Sequence, residues 1–393
     1  MIFNTWDYYL LFLIPSAVLC RAAGPRTRPW VLFLSGCLFF TYFSYTQFGG
    51  LIGVACLGIF LWESFISRFY KPSSWFCWFG VTQTVVFLIL FKYRNFLTGL
   101  FWLVPAHNPL YWKRAFLPLG ISFFTFEFVH YAVDRYRNRT EEGSIGEYLA
   151  FILFFPTMVA GPVKRYQDFL PKLRRVSREW VADWQRGITR ILAGLVKKFA
   201  IADVLTAYTN HLNRTDISLA QRWVLPLWLF AYGIKIYADF SAYSDIAIGS
   251  ARLFGIQVPE NFDWPYLQEN IAGFWRHWHM SLTNWLIDYI YIPLGGSRAS
   301  GERVYANILV TMLISGIWHG AGLNFVVWGL LHGVMLAIRR AWRLLRPLPP
   351  GPSPLWSRLG SWLLTFVAVN LAWAFFCMDV RTAIFFFRRL FIG

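Results

Sequence analysis

Long segments without a formally charged side chain are the feature that most constrains this chain. Residues 30–62, 304–338 and 359–378 contain no Asp, Glu, Lys or Arg. A helix needs about 20 predominantly apolar residues to cross the hydrocarbon core of a bilayer, and each of these segments is long enough. A soluble core could hide one such segment, whereas a series of them predicts an integral membrane protein. The charged content of 15% agrees, because soluble domains are about a quarter charged.

Apolar runs along the whole chain predict an all-α polytopic membrane protein with about ten transmembrane helices. Several runs are short or interrupted by Gly and Pro, which predicts additional re-entrant or interfacial helices. The sequence shows no internal repeat and no long linker, so we expect one membrane domain over residues 1–393. The runs lie near residues 8–21, 30–47, 49–67, 75–91, 96–112, 115–133, 147–162, 188–209, 222–238, 304–318, 321–338 and 359–378.

The formal charge of +17 comes from 37 basic and 20 acidic residues. Basic residues fall between the apolar runs, as in 21–28, 135–139 and 339–346. This pattern indicates loops held on the cytoplasmic side, next to anionic lipid. A nucleic-acid-binding protein would gather its charge on one water-facing surface, so we predict membrane lipid and no nucleic acid as a partner. The stretch 163–198 mixes basic residues with Leu and Trp and predicts an amphipathic helix in the interface.

His319 is the sharpest candidate for chemistry. It lies in SGIWHGAGLNFVVWG, inside a run of more than thirty residues without formal charge. Apolar surroundings disfavour the imidazolium form and leave a neutral ring that can accept a proton, as a general base must. Gly316, Gly320 and Gly322 would let a substrate approach closely, or would equally let two helices pack around a hydrogen-bonded core histidine. The residues alone leave both interpretations open.

His279 and His332 also lie in the apolar C-terminal half of the chain. His277 and His279 are spaced i, i+2 and point to different faces of a helix, and no carboxylate or cysteine completes a zinc set nearby. We therefore predict no metal site. His332 follows His319 by thirteen residues, about 220° around an unbroken helix, so we expect an indirect or structural role for it. The remaining histidines are expected to be hydrogen-bonded or solvated: His107, His130, His211 and His277.

Asp239 and Tyr243 are one helical turn apart in YADFSAYSD and could share a hydrogen bond on one face. Polar contact between helices is the expected role of such residues in an apolar segment.

Five sequence blocks occur in an order that resembles the membrane-bound O-acyltransferases, and within them the bacterial branch of the alginate O-acetylation membrane protein. Together they run from about residue 118 to residue 333. The blocks are PLGISFFTFEFVHYAVDRYRNR, FFPTMVAGPVKRYQDFLPKL, YADFSAYSDIAIGSARLFGIQVPENFDWPY, FWRHWHMSLTNWLIDYIYIPLGGSR and SGIWHGAGLNFVVWGLLHG.

The resemblance implies helices around a central tunnel, with His319 as the family's near-obligatory histidine and His279 in the partner position. It implies acyl transfer to a hydroxyl from a thioester, acetyl-CoA or an acyl carrier protein, used as co-substrate with no bound cofactor. At Cys377, Ala242 and Glu127 the chain departs from the residues expected for the branch, so alginate itself is not predicted as the acceptor. Candidate supporting or substrate-binding residues are Trp318, Asn324, Asp239, Tyr243, Trp278, Ser281, Arg298 and His332.

The activity that the resemblance implies is O-acetylation of an exported or cell-surface polysaccharide at the bacterial inner membrane. Expected partners are the polysaccharide acceptor, a periplasmic acetyltransferase or esterase-like protein, and a cytoplasmic acyl carrier. One alternative is D-alanyl transfer to teichoic acid from a carrier protein, although IPLGGSR favours the acetylation branch. The other is a transporter or flippase, which would be built from two related halves with broken helices; the sequence has no such symmetry.

Overall fold

The structure, a computed structural model, describes residues 2–48, 57–58, 61–62, 74–100, 118–175, 179–346 and 354–392. Regular secondary structure in these ranges is helical, apart from an isolated β-bridge between Phe262 and Trp278. This confirms the all-α class. The chain divides into two compact units, Met1–Leu195 with Ala242–Pro259 and Val196–Ser241 with Glu260–Gly393. The single domain over 1–393 stays a prediction.

An aromatic core holds the first unit together. The ring of Phe155 stacks on that of Phe39, with centroids 5.0 Å apart, and meets that of Phe254 edge to face at 5.8 Å. Burying each such ring stabilises the unit by roughly 1.5–3 kcal/mol. The unit contains the helices Ile14–Ala22, Arg28–Phe48, Ser74–Leu88, Arg94–Leu100, Ile121–Tyr136, Ile145–Ile152, Phe155–Met158, Tyr166–Arg174 and most of Trp180–Val196, with π-helices at Tyr8–Leu13 and Ile89–Tyr93.

Ion pairs inside the first unit involve basic residues that the sequence pattern places in loops. The carboxylate of Asp183 pairs with Arg21 at 3.0 Å and with Arg252 at 3.2 Å. Arg21 also donates to the carbonyl oxygens of Leu253 and Arg252. Removing one partner of such a group would leave an uncompensated buried charge. The network therefore ties the end of the first helix to two later segments of the same unit.

The basic stretch 163–198 is helical over Tyr166–Arg174 and Trp180–Val196 in its described part. Apolar Val181, Ile188 and Leu192 are exposed on the second of these helices, which suits a helix lying in the membrane interface. That location stays a prediction. Lys164 differs from the expected surface charge, because it is buried and paired with Glu127.

The second unit surrounds its own aromatic cluster, which includes Trp278, Trp328 and Trp373. Its helices are Asp203–Thr209, Arg214–Leu219, Ile271–His277, Met280–Leu286, Gly301–His319, Leu323–Leu345, Leu355–Ala372, Ala374–Cys377 and Val380–Phe391, with π-helices at Lys197–Ala202 and Ile287–Tyr291 and 3-10 helices at Pro265–Leu267 and Gly296–Arg298. The 30-residue helix Val224–Leu253 contains the boundary between the units.

Two small residues bring the helices Gly301–His319 and Leu323–Leu345 into direct backbone contact. A Cβ atom on Gly316 would overlap the carbonyl oxygen of Phe325 and lie 3.0 Å from the Cα atom of Gly329. A Cβ atom on Gly329 would overlap the carbonyl oxygen of Met312. Small residues permit such close packing between membrane helices. The crossing fixes the hairpin whose turn follows His319.

Two described helices are long and apolar enough to cross a membrane, Leu323–Leu345 and Leu355–Cys377, and Tyr8–Ala22 is a shorter apolar helix. The predicted runs near 49–67 and 96–112 lie largely outside the described residues. Other predicted runs are interrupted: 147–162 is split between Ile145–Ile152 and Phe155–Met158, and 188–209 contains the π-helix Lys197–Ala202. The count of about ten spans therefore stays a prediction.

The close contact between the helices Gly301–His319 and Leu323–Leu345 predicts that adding one methyl group at Gly316 lowers the stability of the protein. We expect Gly316→Ala to destabilise the protein by about 1–3 kcal/mol, because the new Cβ atom meets main-chain atoms that cannot rotate away. The measurement is the thermal unfolding midpoint of the detergent-solubilised protein. Gly360→Ala is the control, since a Cβ atom there has nothing within 4 Å and should stabilise the helix by about 0.4–1 kcal/mol. Equal midpoints for the two variants would contradict the crossing.

Candidate active site

His319 is the last residue of the helix Gly301–His319, and the next helix begins at Leu323. The backbone is extended at Gly320 and Gly322, and a side chain at Gly320 would overlap the ring of Phe325. The helix therefore stops directly after the histidine. Its half-buried ring lies among three aromatic rings, those of Trp318 at 4.9 Å, Trp328 at 5.1 Å and Phe376 at 5.0 Å between centroids.

His279 lies between the helices Ile271–His277 and Met280–Leu286, and its side chain is fully buried. Its backbone is left-handed, with φ 43° and ψ 53°, which costs a residue with a Cβ atom about 1–2 kcal/mol. The imidazole is edge to face with Phe240 at 4.6 Å and faces Trp318 at 6.1 Å. Trp318 thus contacts both histidines singled out in the sequence.

Main-chain contacts between two loops that are distant in sequence hold the backbone around His279. Phe262 bridges to Trp278, the amide of Asp263 donates to the carbonyl of His277 at 3.0 Å, and the amide of Met280 donates to the carbonyl of Asn261 at 2.9 Å. These contacts stabilise the unusual backbone angles of His279, because they fix the residues on both sides of it.

Asn261 is a residue of this site that the sequence analysis missed. Its fully buried side-chain oxygen lies 3.3 Å from Nδ1 of His279 and accepts a hydrogen bond from the hydroxyl of Ser281 at 2.6 Å. The available signal was its place in VPENFDWPY, within one of the blocks that carry the family resemblance. Nε2 of His279 is buried and has no hydrogen-bond partner among the described residues. Burial lowers the pKa of His279 to about 3, so the ring is neutral at physiological pH.

His332 lies closer to His319 than an unbroken helix would allow. The sequence estimate placed the two on different faces, but the helix breaks after His319 and both imidazoles contact Trp328, at 5.1 Å and 4.7 Å. His332 is fully buried, and the indole of Trp275 donates to its Nδ1 at 3.3 Å. An indirect role for His332, through Trp328, stays a prediction.

Trp278, Asn324 and Arg298 have different surroundings. Trp278 is buried and packs on Phe274 and Trp373, with centroids 5.4 and 5.1 Å away. Asn324 is half-buried in the first turn after the break, where a side chain on Gly322 would overlap its oxygen. Arg298 is exposed at the end of the short helix Gly296–Arg298. Their roles toward substrate stay predictions.

Asp239 and Tyr243 fall in different units, although they share one helix. The carboxylate of Asp239 pairs with the buried ammonium of Lys198 at 2.9 Å, and Lys198 also pairs with Asp203 at 2.5 Å. Tyr243 is buried in the first unit, 6.4 Å from the ring of Phe3. Asp239 immediately precedes Phe240, so the ion pair fixes the helical turn whose phenylalanine packs against His279. The basic-stretch pattern gave no sign of this role for Lys198.

The remaining histidines have partners outside this site. Nε2 of His130 accepts from the amide of Tyr166, His211 pairs with Asp216, and Nδ1 of His277 lies 2.8 Å from the carbonyl of Gly273. His107 lies outside the described residues. Within the described ranges, no group of three or more His, Cys, Asp or Glu could hold a metal ion.

A neutral imidazole can take a proton from a bound hydroxyl, and both histidines have aromatic walls that limit the access of water. Two imidazoles against one shared indole can bind an alcohol and accept its proton.

Comparison with known proteins gives this arrangement its context. Residues 56–378 match the family model of the membrane-bound O-acyltransferases. The chain is 34% identical over 390 residues to the probable alginate O-acetylase AlgI of Pseudomonas aeruginosa, covering 96% of this chain and 72% of the relative. It is 34% identical over 332 residues to the peptidoglycan O-acetyltransferase of Helicobacter pylori, covering 76% and 60% of the two chains.

A more distant relative is the teichoic acid D-alanyltransferase of Bacillus subtilis. The two are 29% identical over 343 residues, which cover 83% of this chain and 84% of the relative. The family match includes both histidines and most of both units, and the similarity to the alginate protein extends over nearly the whole sequence. The chain belongs to the membrane-bound O-acyltransferase family and is an O-acyltransferase.

Proposed function

We propose that this enzyme transfers an acetyl group from a thioester to a hydroxyl group of an exported or cell-surface polysaccharide. The observation that carries the proposal is the position of His319, where a helix ends next to Trp318, whose indole also faces a second, neutral histidine. The similarity to O-acetylases of alginate and of peptidoglycan supports acetyl as the acyl group and a glycan as the acceptor.

In the proposed reaction His319 accepts the proton of the acceptor hydroxyl while that oxygen attacks the thioester carbonyl. The new C–O ester bond forms, the C–S bond breaks, and the proton passes to the departing sulfur. General-base assistance of this kind contributes roughly 10²–10⁴-fold in rate, and positioning of the two reactants must supply much of the remainder. His279 holds the acceptor in this scheme through a hydroxyl group next to the reacting one.

The proposal includes a membrane arrangement consistent with this chemistry. About ten helices cross the bacterial inner membrane around a tunnel, and the two units act as one domain over residues 1–393. Acetyl-CoA or an acyl carrier protein supplies the thioester from the cytoplasm. A periplasmic acetyltransferase or esterase-like protein takes part in delivery to the polysaccharide. The two long apolar helices and the exposed apolar side chains of Trp180–Val196 support placement in a bilayer.

Replacing His319 gives the direct test. In membrane vesicles supplied with acetyl-CoA labelled in the acetyl group, we expect His319→Ala to reduce alkali-labile label in the glycan by at least about 100-fold, because the proton acceptor is lost. His211→Ala is the matched control, since that exposed histidine pairs with Asp216 outside the site. Full labelling with His319→Ala, at equal protein level, would disprove its role.

The label also distinguishes acetylation from D-alanylation. Acetyl esters in the glycan, dependent on the protein, are the expected result. Alkali-labile D-alanine on teichoic acid, with no acetyl ester dependent on the protein, would replace the proposal by the activity named for the Bacillus relative.

His279 should matter through binding geometry. We expect His279→Ala to lower the labelling rate by about 100-fold, because a displaced acceptor hydroxyl no longer meets the thioester carbonyl in line. The thermal unfolding midpoint, measured alongside, separates this effect from loss of packing against Phe240 and Trp318. A well-folded variant with the wild-type rate would exclude His279 from the reaction.

A further inference from the structure

The side chain of Asn261 lies against that of His279, although the two residues are distant in sequence. Asn261 is eighteen residues upstream, yet the bridge between Phe262 and Trp278 and the Met280–Asn261 main-chain hydrogen bond bring the two side chains together. Asn261 is fully buried, and its oxygen faces both Nδ1 of His279 and the hydroxyl of Ser281. One amide oxygen therefore meets two potential donors.

The two contacts decide which imidazole nitrogen carries the proton. An amide oxygen has two lone pairs and only accepts hydrogen bonds. When it accepts from Ser281 and from His279, the imidazole must carry its proton on Nδ1. In a neutral ring the other nitrogen, Nε2, is then an acceptor. Nε2 is buried without a hydrogen-bond partner among the described residues.

We propose that Asn261 is a positioning residue that holds His279 as the Nδ1–H tautomer, so that Nε2 accepts a hydrogen bond from a second hydroxyl group of the acceptor, next to the one whose proton passes to His319. This inference rests on the proposed function. It separates two roles for His279 that its position alone leaves open, because an acceptor nitrogen orients an O–H group, whereas a donor nitrogen would stabilise negative charge on the carbonyl oxygen.

The surroundings of His279 support a neutral acceptor. The rings packed against it are Phe240 of the long helix and Trp318 of the helix Gly301–His319. The titratable groups next to those two residues are Asp239, which is paired with Lys198, and His319. Burial keeps the pKa of His279 near 3, so its ring stays neutral throughout the range in which membranes can be assayed.

The test uses the full-length protein in the labelled-acetyl vesicle assay. Asn261→Leu removes the acceptor and should lower the rate by about 100-fold, because the imidazole loses its fixed tautomer and orientation. Asn261→Asp keeps an accepting oxygen and should restore most of the rate at high pH. The added carboxylate favours the imidazolium form and should raise the pKa of His279 by roughly 1–3, so this variant should lose activity at the acid end of the assayed range, where the wild-type ring stays neutral.

The control is Asn307→Asp, which alters a buried asparagine that donates to the carbonyl of Gly296. We expect it to lower the unfolding midpoint and to leave the pH–rate profile in place. If the Asn261→Leu protein does not accumulate, the pH–rate profile of Asn261→Asp alone tests the positioning role.

A wild-type acid limb in a folded Asn261→Asp protein would overturn the positioning role. It would leave the proposed function intact as long as His319→Ala is inactive. Conversely, full activity of His319→Ala would disprove the proposed function itself.

Discussion

The constraint behind this structure is that a main-chain N–H or C=O group in apolar surroundings must find a hydrogen-bond partner. Helices meet the requirement within one segment, which is why regular structure in the described residues is almost entirely helical. Where a helix stops, other partners must replace it. The two histidines of the site lie at such places: His319 ends a helix, and His279 links two short ones.

The backbone at His319 and the backbone at His279 are stabilised in different ways. After His319, the glycine-containing turn and the Gly316–Gly329 contact set two helices side by side. Around His279, main-chain bonds to residues 261 and 263 take the place of helical bonds. Rigid backbone at both histidines suits a reaction in which small displacements of the reacting atoms have large effects on rate. The strained angles at His279 persist because its neighbours are held on both sides.

Periodicity and motif content predicted much of this from the sequence. The all-α class and the family could be inferred because each depends on local composition or on ordered motifs. The same motifs single out the two histidines, whose catalytic roles stay a prediction. Asn261 could not be singled out, since its contact with His279 requires two loops that are distant in sequence to pair. The angular separation of His332 from His319 applied only to an unbroken helix, and the helix stops at Gly320. Lys198 counted as interfacial charge, although burial and two carboxylates give it a structural role.

The contact between Gly316 and Gly329 also restricts how reactants reach His319. Main-chain atoms of the two helices meet at that level, and even one methyl group has no room between them. A hydrocarbon chain or a sugar therefore cannot enter through the seam of this hairpin. A molecule that reaches the imidazole of His319 must instead pass between the rings that surround it, those of Trp318, Trp328 and Phe376.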